Sequence, residues 1–181
     1  MIRFSGLILL VVTNASTAFA GEARIPNPNI DYQGFKILTQ EVQTLREARR
    51  VSESQFIEMS KDRNTLILDS RSAAKFAQMH VAGAVNVAFS DMTEQTLGSV
   101  IASKGTRILI YCNNNFVNAP GPFPTKISSA ALNVPTFITL SAYGYDNVYE
   151  LGPVVEPGTS AIEFSSESAL KAPRRAASGK K

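Results

Sequence analysis

Several residue types are scarce in this 181-residue sequence, and each scarcity excludes a class of site. The single cysteine excludes an intramolecular disulfide, and one cysteine with one histidine is too small a ligand set for a zinc site. The sequence has no glycine-rich phosphate loop and no serine within a Gly-x-Ser-x-Gly motif. We therefore expect the protein to hold no metal and no other cofactor.

Long hydrophobic runs are also lacking. The run Leu7–Val12 follows Arg3, precedes Ala18-Phe19-Ala20 and is too short to cross a bilayer, which takes about 20 apolar residues. This order is typical of a secretion signal, so we expect cleavage after Ala20 and a mature chain in the periplasm or outside the cell. An uncleaved membrane anchor is the alternative. The remaining length suits one domain.

The positive net charge comes from the two ends of the chain. Residues 21–170 hold 12 basic and 15 acidic side chains, although the whole sequence carries +3. The excess of positive charge after residue 170 lies in a tail rich in Ser, Ala, Lys and Arg, so residues 161–181 are expected to form a disordered basic tail. A domain of net negative charge is not expected to bind nucleic acid.

Alternating strand and helix patterns predict an α/β domain with a mostly parallel sheet, spanning residues 37–160 after a leader at 21–36. Continuous apolar runs at 65–69 and 106–111 are typical of strands buried on both faces. Shorter strands are expected at 84–87 and 147–151. Helices are expected at 38–50, 52–59, 72–78, 90–103, 125–132 and 135–143.

Single residues set the expected boundaries of these helices. Thr39 and Ser90 are candidate N-caps, and Ser52 with Gln55 forms a capping-box pattern. Pro135 disfavours helical backbone at Val134, so a break is expected there. Gly144 is a plausible helix stop.

Asp69 and Cys112 each follow a predicted buried strand, and ligands of parallel sheets bind at the carboxyl ends of the strands. Asn113, Asn114 and Asn115 tolerate left-handed backbone, so amides of this segment could surround the sulfur and stabilise a thiolate. The alternative is a cysteine that serves as a small buried hydrophobe.

His80 is the only candidate for a catalytic partner of the cysteine. It opens a turn into a predicted strand, and a structural role in that turn is the favoured interpretation. For Asp69 and Arg71, an ion pair that fixes the strand-to-helix turn is favoured over chemistry.

Four segments, in order, resemble the motifs of one known family. Leu66–Arg71 resembles a strand ending in Asp-x-Arg, and Phe76–Asn86 resembles Phe-x-x-x-His-Ile-x-Gly-Ala-x-Asn. Ile108–Cys112 resembles a strand that delivers an active cysteine, and Gly144–Gly152 resembles the closing Gly-Phe-x-Asn-Val-Tyr-x-Leu-x-Gly. Between about Val51 and Gly152 the chain is therefore similar to single-domain, exported members of the rhodanese-like family.

The resemblance implies a central parallel sheet flanked by helices and a sulfurtransferase that forms a persulfide on Cys112. The expected partners are a sulfur donor such as thiosulfate and a thiol or cyanide acceptor. Asp69, Arg71 and His80 are expected to give structural support. The expected substrate-binding residues are Asn113, Asn114, Asn115, Phe116 and Lys126.

The segment after the cysteine differs from the short, basic loop of active family members. Lys126 is the first cation after Cys112, and one hypothesis is that it folds back over the sulfur. The alternative function is a non-catalytic binding or redox module, in which Phe116 and Phe123 contact a protein partner and Cys112 forms mixed disulfides. A phosphatase of this fold is disfavoured, because an arginine that would grip phosphate is missing.

Overall fold

The computed structural model describes residues 25 and 27–167. The expected signal at 1–20 and the tail after residue 167 lie outside the described residues. The described residues up to Tyr32 and those from Gln33 onward belong to two separate units. In the first, the Ile30 amide donates to the Asn27 carbonyl at 3.2 Å in a turn. No helix in the described part of the chain is long and apolar enough to span a membrane.

Helices and short strands alternate through the described residues. The first half contains α1 (Tyr32–Ala48), β1 (Arg50–Val51), α2 (Glu53–Ser60), β2 (Thr65–Asp69), α3 (Ala73–Gln78), β3 (His80–Val81) and β4 (Val85–Asn86). The second half contains α4 (Glu94–Val100), β5 (Arg107–Tyr111), α5 (Asn133–Ala142), β6 (Val148–Leu151) and β7 (Phe164–Ser165).

Five strands form one sheet in the order β1-β6-β5-β2-β4, and all its pairs are parallel. β3 and β7 form a separate antiparallel pair. The predicted central parallel sheet flanked by helices is confirmed. The order places β5, which precedes the cysteine, in the middle of the sheet.

The central strand β5 is buried on both faces, which explains its continuous apolar run. Ile108 and Ile110 join one core cluster with residues of α1, α4 and α5. Leu109 and Tyr111 join the other cluster, with residues of α2. Because side chains alternate between faces along a strand, Cys112 continues the row of Ile108 and Ile110.

Several predicted helix boundaries are corrected. α1 begins at Tyr32, within the expected leader, so Thr39 is not its N-cap. α4 is capped by Thr93, whose side chain accepts from the Thr96 amide, whereas Ser90 lies in a 3-10 turn. The capping box of Ser52 with Gln55 is confirmed.

The predicted helix at 125–132 is wrong. That segment holds only a 3-10 turn, Ser128–Ala130, and α5 begins at Asn133 without a break at Val134. Pro135 lies in the first turn of α5, where amide groups have no intrahelical acceptor and proline therefore costs little. Gly144 ends this helical segment with φ +76°, as expected.

The folded part of the chain extends past residue 160, into the segment expected to be tail. β7 pairs with β3 in the register His80 with Ser165 and Val81 with Phe164. The apolar side chain of Ile162 is buried beside it. Burial of Ile162 and the strand pairing give residues 161–165 the order that their composition alone did not indicate.

Candidate active site

Asp69 is the centre of a buried network on the α2 side of the sheet. Its carboxylate accepts hydrogen bonds from the Arg71 guanidinium and from the Tyr111 hydroxyl. Arg71 also donates to the carbonyls of Pro122, at 2.9 Å, and Met79, at 2.8 Å. These contacts link the end of β2 to the long loop after Cys112 and to β3. Burial, reinforced by the Asp69 carboxylate, raises the pKa of Tyr111.

His80 makes contacts of a structural kind. Its Nδ1 lies 2.7 Å from the Phe76 carbonyl oxygen, and its ring stacks on Phe76 with centroids 3.8 Å apart. It is buried and does not line the cavity at Cys112. The structure therefore does not bring the cysteine and the histidine together.

Cys112 lines a cavity of ≈ 390 Å³ on the other face of the sheet. Only 1% of the residue is exposed. The cavity is lined by Arg46, Arg50, Cys112, Asn114, Asn115, Ser128, Ala131, Asn133, Val134, Glu150, Gly152 and Val154. These residues come from α1, β1, the loop after β5, α5 and β6.

Three backbone amides act on the sulfur. The N–H groups of Asn133, Asn114 and Leu132 lower the pKa of the Cys112 thiol. Leu132 and Asn133 form the N-terminus of α5, whose dipole favours negative charge. This helix is tied to the end of β2, because Thr136 Oγ1 lies 2.9 Å from Ser70 Oγ in the core.

Burial nevertheless affects the pKa of Cys112 more than the three amides do. Desolvation is the largest influence on Cys112, and the Glu150 carboxylate acts in the same direction, so the pKa of the thiol is raised above its usual range. The resting sulfur is therefore mainly protonated at neutral pH, and the amides act on negative charge once it forms.

The three asparagines after Cys112 shape the loop through their side chains. They form a 3-10 turn, and none has positive φ; that conformation is found at Asn118, with φ 58°. Asn115 Oδ1 accepts from the Cys112 amide at 2.9 Å and from Asn133 Nδ2 at 3.0 Å. Asn115 thus connects the strand end to the first residue of α5. None of the three adopts the left-handed backbone that asparagine tolerates.

Asn113 and Asn114 hydrogen-bond to the backbone of a later part of the loop. Asn113 Nδ2 donates to the Pro124 carbonyl at 2.9 Å, and Asn114 exchanges two hydrogen bonds with the backbone of Lys126. Asn114 lines the cavity at the sulfur, whereas Asn113 and Lys126 line a second cavity of ≈ 360 Å³. The structure thus places Lys126 away from the lining of the Cys112 cavity.

The loop aromatics are core residues. Phe116 and Phe123 are each 1% exposed, and their ring centroids lie 4.3 Å apart. Arg71 lies over Phe123, with its Cζ 4.2 Å from the ring centroid. Neither ring is available as a recognition surface, and neither lines the cavity at the sulfur.

Sequence reasoning missed three charged residues of this cavity. Glu150 Oε1 lies 2.7 Å from Arg46 Nη2 and 3.7 Å from Arg50 Nε. Glu150 could have been noticed, because a carboxylate within an otherwise apolar strand requires a partner. No sequence signal indicated the two arginines, since only folding brings α1 and β1 beside β6.

Comparison with known proteins agrees with the motifs. The model of the rhodanese-like domain family matches residues 52–151. Among solved structures, the BH2092 protein of Bacillus halodurans is 17% identical with a TM-score of 0.48, covering 81% of this chain and 92% of that one. The Helicobacter pylori protein hp1203 is 15% identical with a TM-score of 0.46, covering 71% and 98%.

A third solved structure is a rhodanese with anions from E. coli. It is 18% identical with a TM-score of 0.39, covering 56% of this chain and 98% of that one. No curated protein sequence matches the chain significantly. The family match extends over more than half of the chain and includes the cysteine at the end of β5. The chain therefore belongs to the rhodanese-like domain family.

Proposed function

We propose that the protein is a sulfurtransferase that carries sulfane sulfur as a persulfide on Cys112, acting in the periplasm or outside the cell. The observation that carries this proposal is the position of Cys112 in a cavity at the N-terminus of α5, where three backbone N–H groups lower the pKa of the thiol. Oriented amides and a helix N-terminus stabilise negative charge without moving during the reaction. A buried cysteine of purely structural use gains little from such an arrangement.

The proposed reaction has two steps. The Cys112 thiol loses its proton to solvent, and the thiolate attacks the outer sulfur of thiosulfate. The sulfur–sulfur bond of thiosulfate breaks, and sulfite leaves with the bonding electrons. Cyanide or an acceptor thiolate then attacks the terminal sulfur of the persulfide, which regenerates the Cys112 thiolate and gives thiocyanate or an acceptor persulfide.

The amides serve both steps. The charge on the attacking thiolate and the charge on the persulfide both lie close to the N–H groups of Asn114, Leu132 and Asn133. Because the thiol of the resting protein is mainly protonated, the rate of the first step should rise with pH as the thiolate fraction grows.

Intact-protein mass spectrometry after thiosulfate treatment tests this proposal. We expect one added sulfur atom on the wild-type protein, its removal by cyanide with release of thiocyanate, and neither event in Cys112→Ser. An unmodified wild-type protein whose thiol still reacts with an alkylating reagent would contradict the proposal.

Burial of Cys112 favours the second candidate, a non-catalytic binding or redox module. A protonated sulfur with 1% exposure is a poor nucleophile at neutral pH. In that case Cys112 would form mixed disulfides with thiols under oxidising conditions, and thiosulfate would leave it unchanged. Treatment with oxidised glutathione beside thiosulfate separates the two candidates by the mass that is added.

A further inference from the structure

The Cys112 cavity contains cations that its own loop lacks. Residues 113–125 carry no basic side chain, yet Arg46 and Arg50 line the cavity together with the sulfur. Both arginines precede residue 52, where the match to the family domain begins. The charged groups of this cavity therefore come largely from a segment outside the family domain.

Glu150 fixes the position of both arginines. It is buried, and its Oε1 accepts from Arg46 Nη2 at 2.7 Å. Arg50 Nε lies 3.7 Å from the same oxygen, and Arg50 Nη2 donates to the Gly152 carbonyl at 3.1 Å. Two cations held by one carboxylate leave a net charge of +1 among the residues that line the cavity.

The two arginines differ from Glu150 in exposure. The Arg46 side chain is 24% exposed and that of Arg50 is 49% exposed, against 4% for Glu150. The guanidinium groups can therefore meet an incoming solute, whereas the carboxylate is covered. The Nε atom of Arg46 is in addition buried without a hydrogen-bond partner, as is Glu150 Oε2.

We propose that Arg46 and Arg50 form the anion-binding subsite of the Cys112 cavity and select a small oxyanion, such as thiosulfate, as the sulfur donor. This inference deepens the proposed function and, as far as it names the donor, rests on it. Glu150 is a positioning residue that holds the two cations at the entrance. The cations that bind the donor thus come from the α1–β1 segment and not from the loop after the cysteine.

The arginines bear on the incoming anion directly and on the sulfur through Glu150. Burial, three backbone amides and Glu150 are the leading influences on the pKa of Cys112. Changing both arginines leaves the Glu150 carboxylate unpaired, which should raise that pKa further. The preference for anionic reagents is therefore measured as a ratio of two rates at one pH, from which the thiolate fraction cancels.

Competing alkylation with iodoacetate and iodoacetamide measures this preference. Both reagents alkylate the same sulfur and release iodide, but only iodoacetate is negatively charged. At one pH, the ratio of the iodoacetate rate to the iodoacetamide rate should fall about threefold to tenfold in Arg46→Gln with Arg50→Gln, the effect of one to two unit charges at several ångströms. Because both reagents attack the same thiolate, a change in the pKa of the thiol leaves this ratio unchanged.

Arg49→Gln is the matched control. Arg49 precedes Arg50 directly, but it lies over the Tyr149 ring, 4.4 Å from its centroid, and donates to Asn147 Oδ1 at 3.2 Å. It does not line the cavity. This variant loses one positive charge, as does each arginine change of the double variant, and should keep the wild-type ratio. A ratio that falls equally in the control and in the double variant would overturn the inference.

Binding of thiosulfate to Cys112→Ser, measured by calorimetry, gives a second test that needs no reaction. We expect binding that weakens about threefold to tenfold when Arg46→Gln and Arg50→Gln are added, and not when Arg49→Gln is added. No binding together with an unchanged alkylation ratio would overturn the anion subsite. Anion selectivity without any persulfide would instead leave the subsite standing and contradict the proposed function.

Discussion

Asp69 and Cys112 leave neighbouring strands at the same edge of the sheet but serve opposite faces. Asp69 shares its face with Tyr111 and Arg71 in a buried hydrogen-bonded network. Cys112 faces the cavity lined by α1 and α5 residues. A single residue step, from Tyr111 at the end of β5 to Cys112, thus separates the buried network from the Cys112 sulfur, because strand side chains alternate.

The buried Asp69–Arg71 pair gives a prediction at the residue scale. Asp69→Asn should lower the free energy of unfolding by about 3–5 kcal/mol, because it leaves the Arg71 cation buried without its counter-charge. Urea denaturation measures the change. The control is Lys61→Ala, which breaks the exposed pair with Glu58 and should cost less than about 1 kcal/mol. Similar losses in the two variants would contradict this account.

At the scale of elements, the N-terminus of α5 and the long loop before it together surround the Cys112 sulfur. The loop runs from Cys112 to Leu132, and its residues Phe116 and Phe123 are buried in the core. The first residues of α5 then lie at the sulfur. A long loop is therefore compatible with an amide cradle, since the amides come from both ends of the loop.

The helix stop at Gly144 gives a prediction at the element scale. Gly144 and Gly98 both have open space where a Cβ would be added, but only Gly144 has positive φ, at +76°. Gly144→Ala should destabilise the protein by about 1 kcal/mol, because L residues are strained there. Gly98→Ala, inside α4, should stabilise it by about 0.5–1 kcal/mol. Thermal unfolding of both variants checks the sign, and equal shifts would contradict the role of φ.

The sequence predicted elements well where local patterns decide them. β2 was predicted at its observed bounds, and the capping box at Ser52 was correct, because apolar runs and caps act over a few residues. The helix expected at 125–132 failed since burial of Phe123 and the Asn114–Lys126 pairing hold that segment in an irregular path. Arg46 and Arg50 could not be predicted at the site, because their approach to Cys112 depends on tertiary packing.

For the whole molecule, the parallel sheet brings distant segments to one edge. Residues of α1, β1, β6 and α5 meet at Cys112 although they are far apart in sequence. The family domain at 52–151 supplies the sulfur and the amides, and the segment before it supplies the arginines. This division explains how a loop without basic residues can coexist with a positively charged cavity.

The global stability of the protein should fall at alkaline pH. The pKa values of Cys112 and Tyr111 are both raised in the folded state, chiefly by burial. The unfolded chain therefore releases these protons at lower pH than the folded one does, near pH 8.5 for cysteine and 10 for tyrosine. Below these pH values both groups are protonated in the folded and the unfolded chain, and the free energy of unfolding keeps its full value. Above each of them, that group lowers the free energy of unfolding by about 1.4 kcal/mol per pH unit.

Urea denaturation between about pH 7 and 11 checks this slope, with variants that remove one titrating group each. Tyr111→Phe should be less stable at neutral pH, since it loses the hydrogen bonds with Asp69 and the Val81 amide. Its stability should nevertheless decline less steeply above about pH 10 than that of the wild type. Cys112→Ser should flatten the decline that begins near pH 8.5. If both variants kept the wild-type slope, neither group would be buried in its protonated form, and the resting thiol described for Cys112 would have to be abandoned.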